Sequence, residues 1–520
     1  MPESNQLQRS PPDRPSRPLV VVSNREPYLH SLAEDGAVTW EPTTGGVAVA
    51  LDALMRERGG VWIAHGAGDA DRRVVDADDR VLVPPDAPIY ALRRIWLTEA
   101  EEQHYYDGFA NEGLWPLCHV AHVKPVFRAA DWRAYQEVNK RFARAVEAEL
   151  PDLASPVFIQ DYHLTLVAKY LRAACPDVRI ALFWHIPFPH PDQLRICPYR
   201  RQILEGLLAC DLLAFQLDRD RRNFLAAART ELGAKVSRGR VHAQNRVTTV
   251  CAVPIGVDFD RIQSVTRDPR LEAEKQRLRR ELRIDTPRIG IGVDRLDYTK
   301  GIPERLGALD CLFTRRPELR TQLTFVQIAV PSRSKLESYQ AVEADIDQRV
   351  AAINARHACD GLAGGPIRYR KSALRIRRLV ALYRLADFCL VSSLHDGMNL
   401  VAKEFVAARE DFEGVLVLSE LAGAAQELGD DAVLINPYDV EGFANGLAQA
   451  LDMPPDERHR RMRALRRIVA GCDVFQWASN ILEGLEHLDP KSMPPPPGGT
   501  SRAARRATRV PSTPPVPVNR

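Results

Sequence analysis

Short β-branched runs alternate with longer helical patterns along most of the chain, in two consecutive series. That alternation is the mark of βαβ units, which close onto a parallel sheet with helices on both faces. The first series predicts strands at Leu19–Ser23, Val61–Ala64, Val157–Gln160, Ile180–Trp184, Leu212–Gln216 and Thr249–Pro254. The second predicts them at Arg288–Val293, Leu323–Ile328, Ile367–Tyr369, Phe388–Val391, Val415–Leu418 and Ala432–Ile435. Helical stretches such as Asp131–Glu149 and Thr165–Ala174 lie between strands, and the charged run Asp268–Leu282 separates the series. The expectation is an α/β protein of two Rossmann-like, doubly wound domains facing a central cleft. Its N-terminal domain should span 19–265, its C-terminal domain 266–470, and a last helix, 471–488, should pack back on the first domain.

The ends of the chain read differently. Residues 1–18 and 489–520 hold 14 of the 38 prolines, and their Arg-rich composition carries a net +6. Such segments bury too little apolar surface to offset their ordering entropy, so both are expected to be disordered tails. The formal net charge of +3 therefore leaves 19–488 at −3. That balance argues against a nucleic-acid-binding body. The N-terminus has no apolar signal-peptide core, and no run approaches the ~20 residues of a spanning helix. Nine cysteines are scattered with no CxxC pair or zinc spacing, as in reduced, mostly buried cytosolic thiols. No membrane contact and a cytoplasmic location follow as expectations.

Open α/β sheets bind ligands beyond the carboxyl ends of their strands, so the residues after each strand carry the information. After the first strand comes Ser23–Tyr28, with Arg25 placed to enter the cleft. Gly45-Gly46 then opens a helical run, which allows close approach of an anion or is simply a turn. Asp161-Tyr162-His163 follows Val157–Gln160, and His185 precedes a rigid Ile186-Pro187-Phe188-Pro189 turn. Arg295 and Lys300 lie five residues apart at a strand-to-helix turn, where they fit a pyrophosphate or form a solvated charge pair. After Phe388–Val391 comes His395–Val401, a Gly turn into a helix. Asp396 could accept hydroxyls of a sugar and Glu404 those of a ribose, or the two could be a cap and a surface charge. There is no GxGxxG, no GxxxxGK[ST], no HExxH and no GxSxG, so NAD, P-loop, zinc-protease and serine-hydrolase readings lose support.

Ordered matches across 19–485 then carry a resemblance: DRLDYTKGIPERL (Asp294–Leu306), DGMNLVAKEF (Asp396–Phe405), LWPLCH (Leu114–His119), DYHL (Asp161–Leu164), HIPFP (His185–Pro189), YQAVEADIDQRVAAIN (Tyr339–Asn354) and SELAGAAQEL (Ser419–Leu428). The chain resembles the trehalose-6-phosphate synthases, retaining glycosyltransferases of the GT-B type with two Rossmann-like domains. The resemblance implies an N-terminal acceptor domain and a C-terminal nucleotide-sugar domain. It implies transfer of glucose from a nucleotide-glucose, with UDP-glucose the expected donor, to glucose 6-phosphate, giving α,α-trehalose 6-phosphate. Arg295 and Lys300 would clamp the diphosphate, and Met398, Asn399, Leu400 and Val401 would support the donor. Glu404 would hold the ribose, Gly46 would sit against the donor, and His185 and Asp396 would bind the transferred glucosyl unit. Asp161 would hold the acceptor sugar, and Arg25, Tyr106, Trp115 and Arg333 its phosphate. The catalytic set is thus His185, Asp161, Asp396, Arg295 and Lys300. Cations that stabilise the leaving diphosphate can do a metal ion's work, so neither metal nor cofactor is expected. Partners are expected to be small molecules, with a homo-oligomer left open.

The chain departs from the family pattern at Gln160, where His is usual, and at His395, where Arg is usual. The run His190–Arg200 also differs, and Asn24–Tyr28 is similar to glucosylglycerol-phosphate synthases. All but His395 lie in the N-terminal, acceptor half. A related synthase using glycerol 3-phosphate or a cyclitol phosphate is the alternative, and a catalytically silent regulatory protein is the alternative of another class.

Overall fold

The computed structural model describes residues 18–43, 46–120, 123–150, 155–243, 246–359 and 364–488. The two expected tails lie outside these residues, Pro18 excepted. The chain divides into two compact units. Unit 1 takes the described parts of Met1–Leu117, Pro125–Cys251 and Ala478–Asp489, and unit 2 those of Cys118–Lys124 and Ala252–Trp477.

Unit 1 is built on a ten-stranded sheet. Its parallel part runs, in spatial order, Leu212–Phe215, Ile180–Trp184, Val157–Gln160, Leu19–Arg25, Gly60–His65 and Tyr90–Ile95. Counted along the chain, the order reverses between Leu19–Arg25 and Val157–Gln160, the switch point of a doubly wound sheet. Arg80–Val83 adds an antiparallel edge, and the meander Lys235–Ser237, Arg240–Ala243 and Arg246–Ala252 closes the other side. Val157–Gln160 and Ile180–Trp184 are buried at every position, as strands covered on both faces must be.

Unit 2 has a six-stranded, all-parallel sheet: Ile367–Arg370, Leu323–Val330, Arg288–Arg295, Phe388–Val391, Val415–Ser419 and Val433–Ile435. The order is the same, and it reverses between Arg288–Arg295 and Phe388–Val391. Helices Ile302–Arg315 and Val440–Asp452 cover it with Leu309, Phe313, Phe443 and Leu447, which pack on Phe325 and Phe388. Gly290 makes room for that packing, since a Cβ there would sit 2.2 Å from Phe388 Cζ.

Every strand read from the sequence is present, with bounds shifted by three residues or fewer. The domain limits need correction. The division falls at Cys251/Ala252 and not at 265/266, because helix Phe259–Thr266 packs within unit 2, where Gln263 Nε2 donates to Ala407 O at 2.7 Å. The charged run expected to separate the series is helix Arg270–Glu281, which buries Leu271 and Leu278 in unit 2 and pairs Glu274 with Arg378 at 3.0 Å. The last helix is Val474–Glu486, and the chain joins unit 1 from Ala478, not 471. There Ile481, Leu482 and Leu485 are buried, and Arg179 Nη1 donates to Leu485 O at 3.1 Å. The strands Arg80–Val83 and Tyr90–Ile95, the hairpin Tyr28–Leu32/Val38–Pro42 and the π-helical segment Gln103–Leu114 had no place in the sequence reading. Of the nine cysteines, four are buried and five only partly so, fewer buried than expected. Among the described residues no helix is long and apolar enough to cross a membrane.

Candidate active site

In unit 2, the loops after Arg288–Arg295 and Phe388–Val391 are neighbours because their strands flank the switch point. Leu394 N donates to Thr299 O at 2.8 Å, and Ser392 Oγ lies 2.9 Å from Gly301 O. Gly301 has φ +62°, and a Cβ there would sit 2.2 Å from Ser392 O, so only glycine lets the loops approach this closely. Across that seam Lys300 Nζ donates to Asp396 Oδ2 at 2.6 Å. Ser393 Oγ at 3.1 Å and Asn399 Nδ2 at 3.3 Å donate to the same oxygen. Burial pushes the Asp396 carboxyl up, but the charge and hydrogen bond of Lys300, the charge of His119 and the Ser393 bond outweigh it. The carboxyl ends well below the usual range. Asp396 is a carboxylate throughout the neutral range.

Asp297, fully buried, lies 3.7 Å from Arg295 Nη2 and 3.6 Å from Arg333 Nη1. Tyr339 OH is 3.4 Å from it and also accepts from Arg333. Burial raises the Asp297 carboxyl, and Arg295, Arg333 and Lys300 together pull it below its ordinary value. Two arginines thus flank one buried carboxylate at this strand end. Arg333, with φ +52°, belongs to unit 2, whereas the other expected acceptor residues are in unit 1. Behind the loops, fully buried Arg305 donates to Asp294 Oδ2 and Gln327 Oε1, both at 2.7 Å, and to Ser392 Oγ at 3.0 Å.

Helix Leu400–Ala408 begins at this site. Asn399, at φ +89°, caps it by accepting from Ala402 N at 3.3 Å, and the helix's first N–H groups carry its positive end. Buried Met398 accepts from Ala424 N at 2.8 Å, which locks the turn. At the far end Arg466 donates to Val406 O at 3.0 Å, a cation matched to the helix C-terminus. Glu404, on the same helix, accepts from Tyr383 OH at 3.0 Å, and burial pushes its carboxyl up to about 7.

In unit 1, the switch point brings the ends of Leu19–Arg25 and Val157–Gln160 together. Arg25 is exposed and borders a hollow of about 280 Å³ with Asn24, Glu26, His65, Glu102 and Tyr106. Tyr106 stacks on His163 with ring centroids 5.6 Å apart, and buried Trp115 lies 6.0 Å from the Tyr162 ring. Asp161 has φ +73° and ψ 172°, a conformation that costs a non-glycine residue ~1–3 kcal/mol and tends to mark functional positions. It is held by its own N–H to Phe183 O at 2.7 Å and by the His185 N–H to its Oδ1 at 3.1 Å. His185 Nε2 lies 2.9 Å from Gln160 Oε1, and burial pushes the imidazole down to about 3, so the ring is neutral. Gly46 is the first residue of helix Gly46–Arg58, while Gly45 lies outside the described residues.

One layer behind Arg25, fully buried Arg94 pairs with Glu26 at 2.8 Å and Asp71 at 2.7 Å. Burial and the hydrogen bond to Asp71 push Glu26 up to about 8, against the pull of Arg94. This cluster, like Asp297, Arg305, Tyr339 and Tyr383, escaped sequence reasoning. Asp297 and Arg305 stand inside the most specific motif and could have been found there. Arg94 lies in a strand whose charges hide its apolar alternation. Among the described residues no group of three or more His, Cys, Asp or Glu could hold a metal ion.

Two doubly wound sheets, each with polar side chains gathered at its switch point, fit the architecture of the GT-B glycosyltransferases. Solved structures share the fold. A UDP-forming α,α-trehalose-phosphate synthase from Burkholderia xenovorans, in complex with glucose-6-phosphate, is similar with TM-score 0.80 and 33% identity, covering 90% of this chain and 100% of that one. An E. coli structure bound with UDP-2-fluoro glucose is similar with TM-score 0.80 and 31% identity, over 90% of this chain and 98% of that one. The trehalose-6-phosphate synthase of Mycolicibacterium smegmatis is 41% identical over 478 residues, 90% of this chain and 92% of that protein. The model of glycosyltransferase family 20 matches residues 17–487, and the chain belongs to that family.

Proposed function

We propose that the protein transfers glucose from UDP-glucose to glucose 6-phosphate with retention of configuration, giving α,α-trehalose 6-phosphate and UDP. The observation that carries this reading is the unit 2 switch point, where Lys300, Arg295 and the start of helix Leu400–Ala408 gather positive charge around a strand end. A leaving diphosphate develops its charge there, and pre-placed donors are worth most where charge appears in the transition state. Support for the substrates comes from the relatives, one bound to glucose-6-phosphate and another to a UDP-sugar analogue.

In this reading Arg295 and Lys300 hold the diphosphate, and Met398 and the backbone of Asn399, Leu400 and Val401 support the donor. Lys300 keeps donor protons to spare beyond the one given to Asp396. Glu404 accepts from the ribose, and Asp396 and His185 bind the glucosyl hydroxyls. Asp161 holds the acceptor sugar, while Arg25, Tyr106, Trp115 and Arg333 take its phosphate, and Gly46 lies against the donor. The C1–O bond to the diphosphate breaks as the acceptor hydroxyl attacks C1 on the same face. Its proton passes to the departing phosphate oxygen, so no protein nucleophile is involved. The cations carry the leaving charge, so the reaction is proposed to need neither metal nor cofactor, in the cytoplasm. Incubation of UDP-, GDP- and ADP-glucose with glucose 6-phosphate, glycerol 3-phosphate and cyclitol phosphates, read by product mass, tests the reading. The expected pair is UDP-glucose with glucose 6-phosphate. No product from glucose 6-phosphate would refute it, and lost activity in chelator would refute metal independence.

A further inference from the structure

Strands Leu19–Arg25 and Gly60–His65 lie side by side in unit 1, and their last residues, Arg25 and His65, are partners in the parallel ladder. Ladder partners stand about 4.8 Å apart and leave the same face of a sheet. Both line the hollow at this strand end, together with Glu26, Glu102 and Tyr106. His65 is partly buried, yet among the described residues its imidazole makes no hydrogen bond or ion pair. Burial pushes the ring down, and the charges of Glu102 and Asp71 pull it back by less, so His65 is neutral at pH 7. Arg25 is the only Lys or Arg that lines the hollow among the described residues, and the Glu102 carboxylate opposes it. A phosphate monoester has its second pKa near 6 and meets this hollow at neutral pH mostly as a dianion. Arg25 offers it one charge. A neutral imidazole adds a single N–H, whereas an imidazolium adds a charge-assisted donor. An anion held beside the ring favours the charged form.

We infer that His65 is a further acceptor-binding residue, which holds the phosphate of the acceptor sugar together with Arg25 and gains one proton as it does so. The inference rests on the proposed reading of this hollow as the acceptor's phosphate site. The proton reaches an imidazole nitrogen from solvent when the phosphate arrives as a dianion, and from the phosphate's own O–H when it arrives as a monoanion. Above about pH 7 the free ring and the free dianion carry no proton between them, and the complex carries one. Affinity therefore falls as pH rises, by up to about tenfold per unit, and levels off below the phosphate pKa near 6. The charged and titratable groups around the ring are Arg25 and Glu26, Glu102 and Tyr106, and, one layer behind, Asp71 paired with Arg94. Of these, Glu26 titrates at about 8 and gains a negative charge over the same range, so the test separates it from His65.

The test follows the KM for glucose 6-phosphate on the full-length protein from about pH 6 to about pH 8, with UDP-glucose saturating. Calorimetry of glucose 6-phosphate binding in the presence of UDP, in two buffers of different ionisation enthalpy near pH 7.5, counts the protons taken up. In the wild type the KM should rise by up to about tenfold per unit above pH 7, and binding should take up about one proton. His65→Gln keeps a donor that cannot charge. Its KM should be about tenfold higher at pH 6 and flat with pH, its proton uptake should vanish, and its KM for UDP-glucose should stay within about twofold. His65→Lys supplies a fixed charge, so it should also lose the slope, with a KM at pH 8 below that of the wild type. A wild type that binds without proton uptake overturns the inference. So does a slope that persists in His65→Gln, which would assign the proton to Glu26. Should His65→Gln fail to fold, His65→Lys and the wild-type calorimetry still decide it. Glucose 6-phosphate that binds with proton uptake but is not converted refutes the proposed function alone, and conversion without uptake overturns this inference alone.

Discussion

The two units share a strand order and differ in what they do with charge at the point where it reverses. In unit 2 the charges stand at the strand ends and are already matched to one another: Lys300 with Asp396, and Arg295 and Arg333 with Asp297. In unit 1 the matched charges lie one layer behind, around Arg94, and the strand end shows exposed Arg25 beside an open hollow. A buried pair cannot lose one member without leaving the other unpaired in a low-dielectric place. An exposed arginine can be exchanged at little cost to the fold. On the proposed function, unit 2 is then built to hold one kind of ligand, whereas unit 1 can change its ligand by changing its surface. Most departures from the family pattern, Gln160 and the run His190–Arg200 among them, fall in unit 1.

Substitutions can break this contrast. The largest effect is expected at Arg94→Ala, which strands Glu26 and Asp71 and should destabilise the protein by about 3–5 kcal/mol in denaturant unfolding. A loss under about 1 kcal/mol would mean that the layer behind Arg25 is not held by charge. Next is Lys300→Ala, expected to lower kcat by about 10²–10³ while circular dichroism stays native. Retained turnover would remove the diphosphate clamp. Arg25→Ala should raise the KM for the sugar phosphate about tenfold and leave the thermal midpoint where it was, the reverse of the Arg94 result. A shifted midpoint with unchanged KM would contradict the open-surface reading of unit 1.

The smallest effect is a pH dependence. Glu404 titrates at about 7, raised by burial, so it is neutral below that pH and a carboxylate above it. Ribose hydroxyls donate better to the carboxylate. The donor KM should therefore rise as pH falls from 8 to 6, by up to about tenfold per unit below 7. In Glu404→Gln the slope should vanish, and a slope that persists would place the titrating group elsewhere.

Much of the architecture was legible because parallel strands leave a strong trace. Val157–Ile159 and Phe388–Val391 are short uninterrupted apolar runs rich in β-branched and aromatic residues, which read as strands covered on both faces. Other strands were lost for the opposite reason. Val38–Pro42 is exposed throughout, and Tyr90–Ile95 carries two arginines, one buried by ion pairing. The site divides similarly. Arg295, Lys300, Asp396 and Asp161 could be located because each stands at a strand end or within about five residues of one. Other buried groups could not, since Tyr339 meets Asp297, Tyr383 meets Glu404 and Arg94 meets Glu26 and Asp71 only once distant segments are side by side. The domain limit was misplaced because a helix rich in charge resembles a linker when its two buried leucines, Leu271 and Leu278, are read without the surface they meet.

Helix Val474–Glu486 has a consequence for the order of synthesis. Unit 1 contains the first described residues of the chain and also Ile481, Leu482 and Leu485 from near the last. A ribosome releases the strands of unit 1 early and this helix late. The N-terminal half must therefore wait, with part of its apolar surface uncovered, until all of unit 2 has emerged. A chain that ends at residue 477 should have a finished second unit and an unfinished first one.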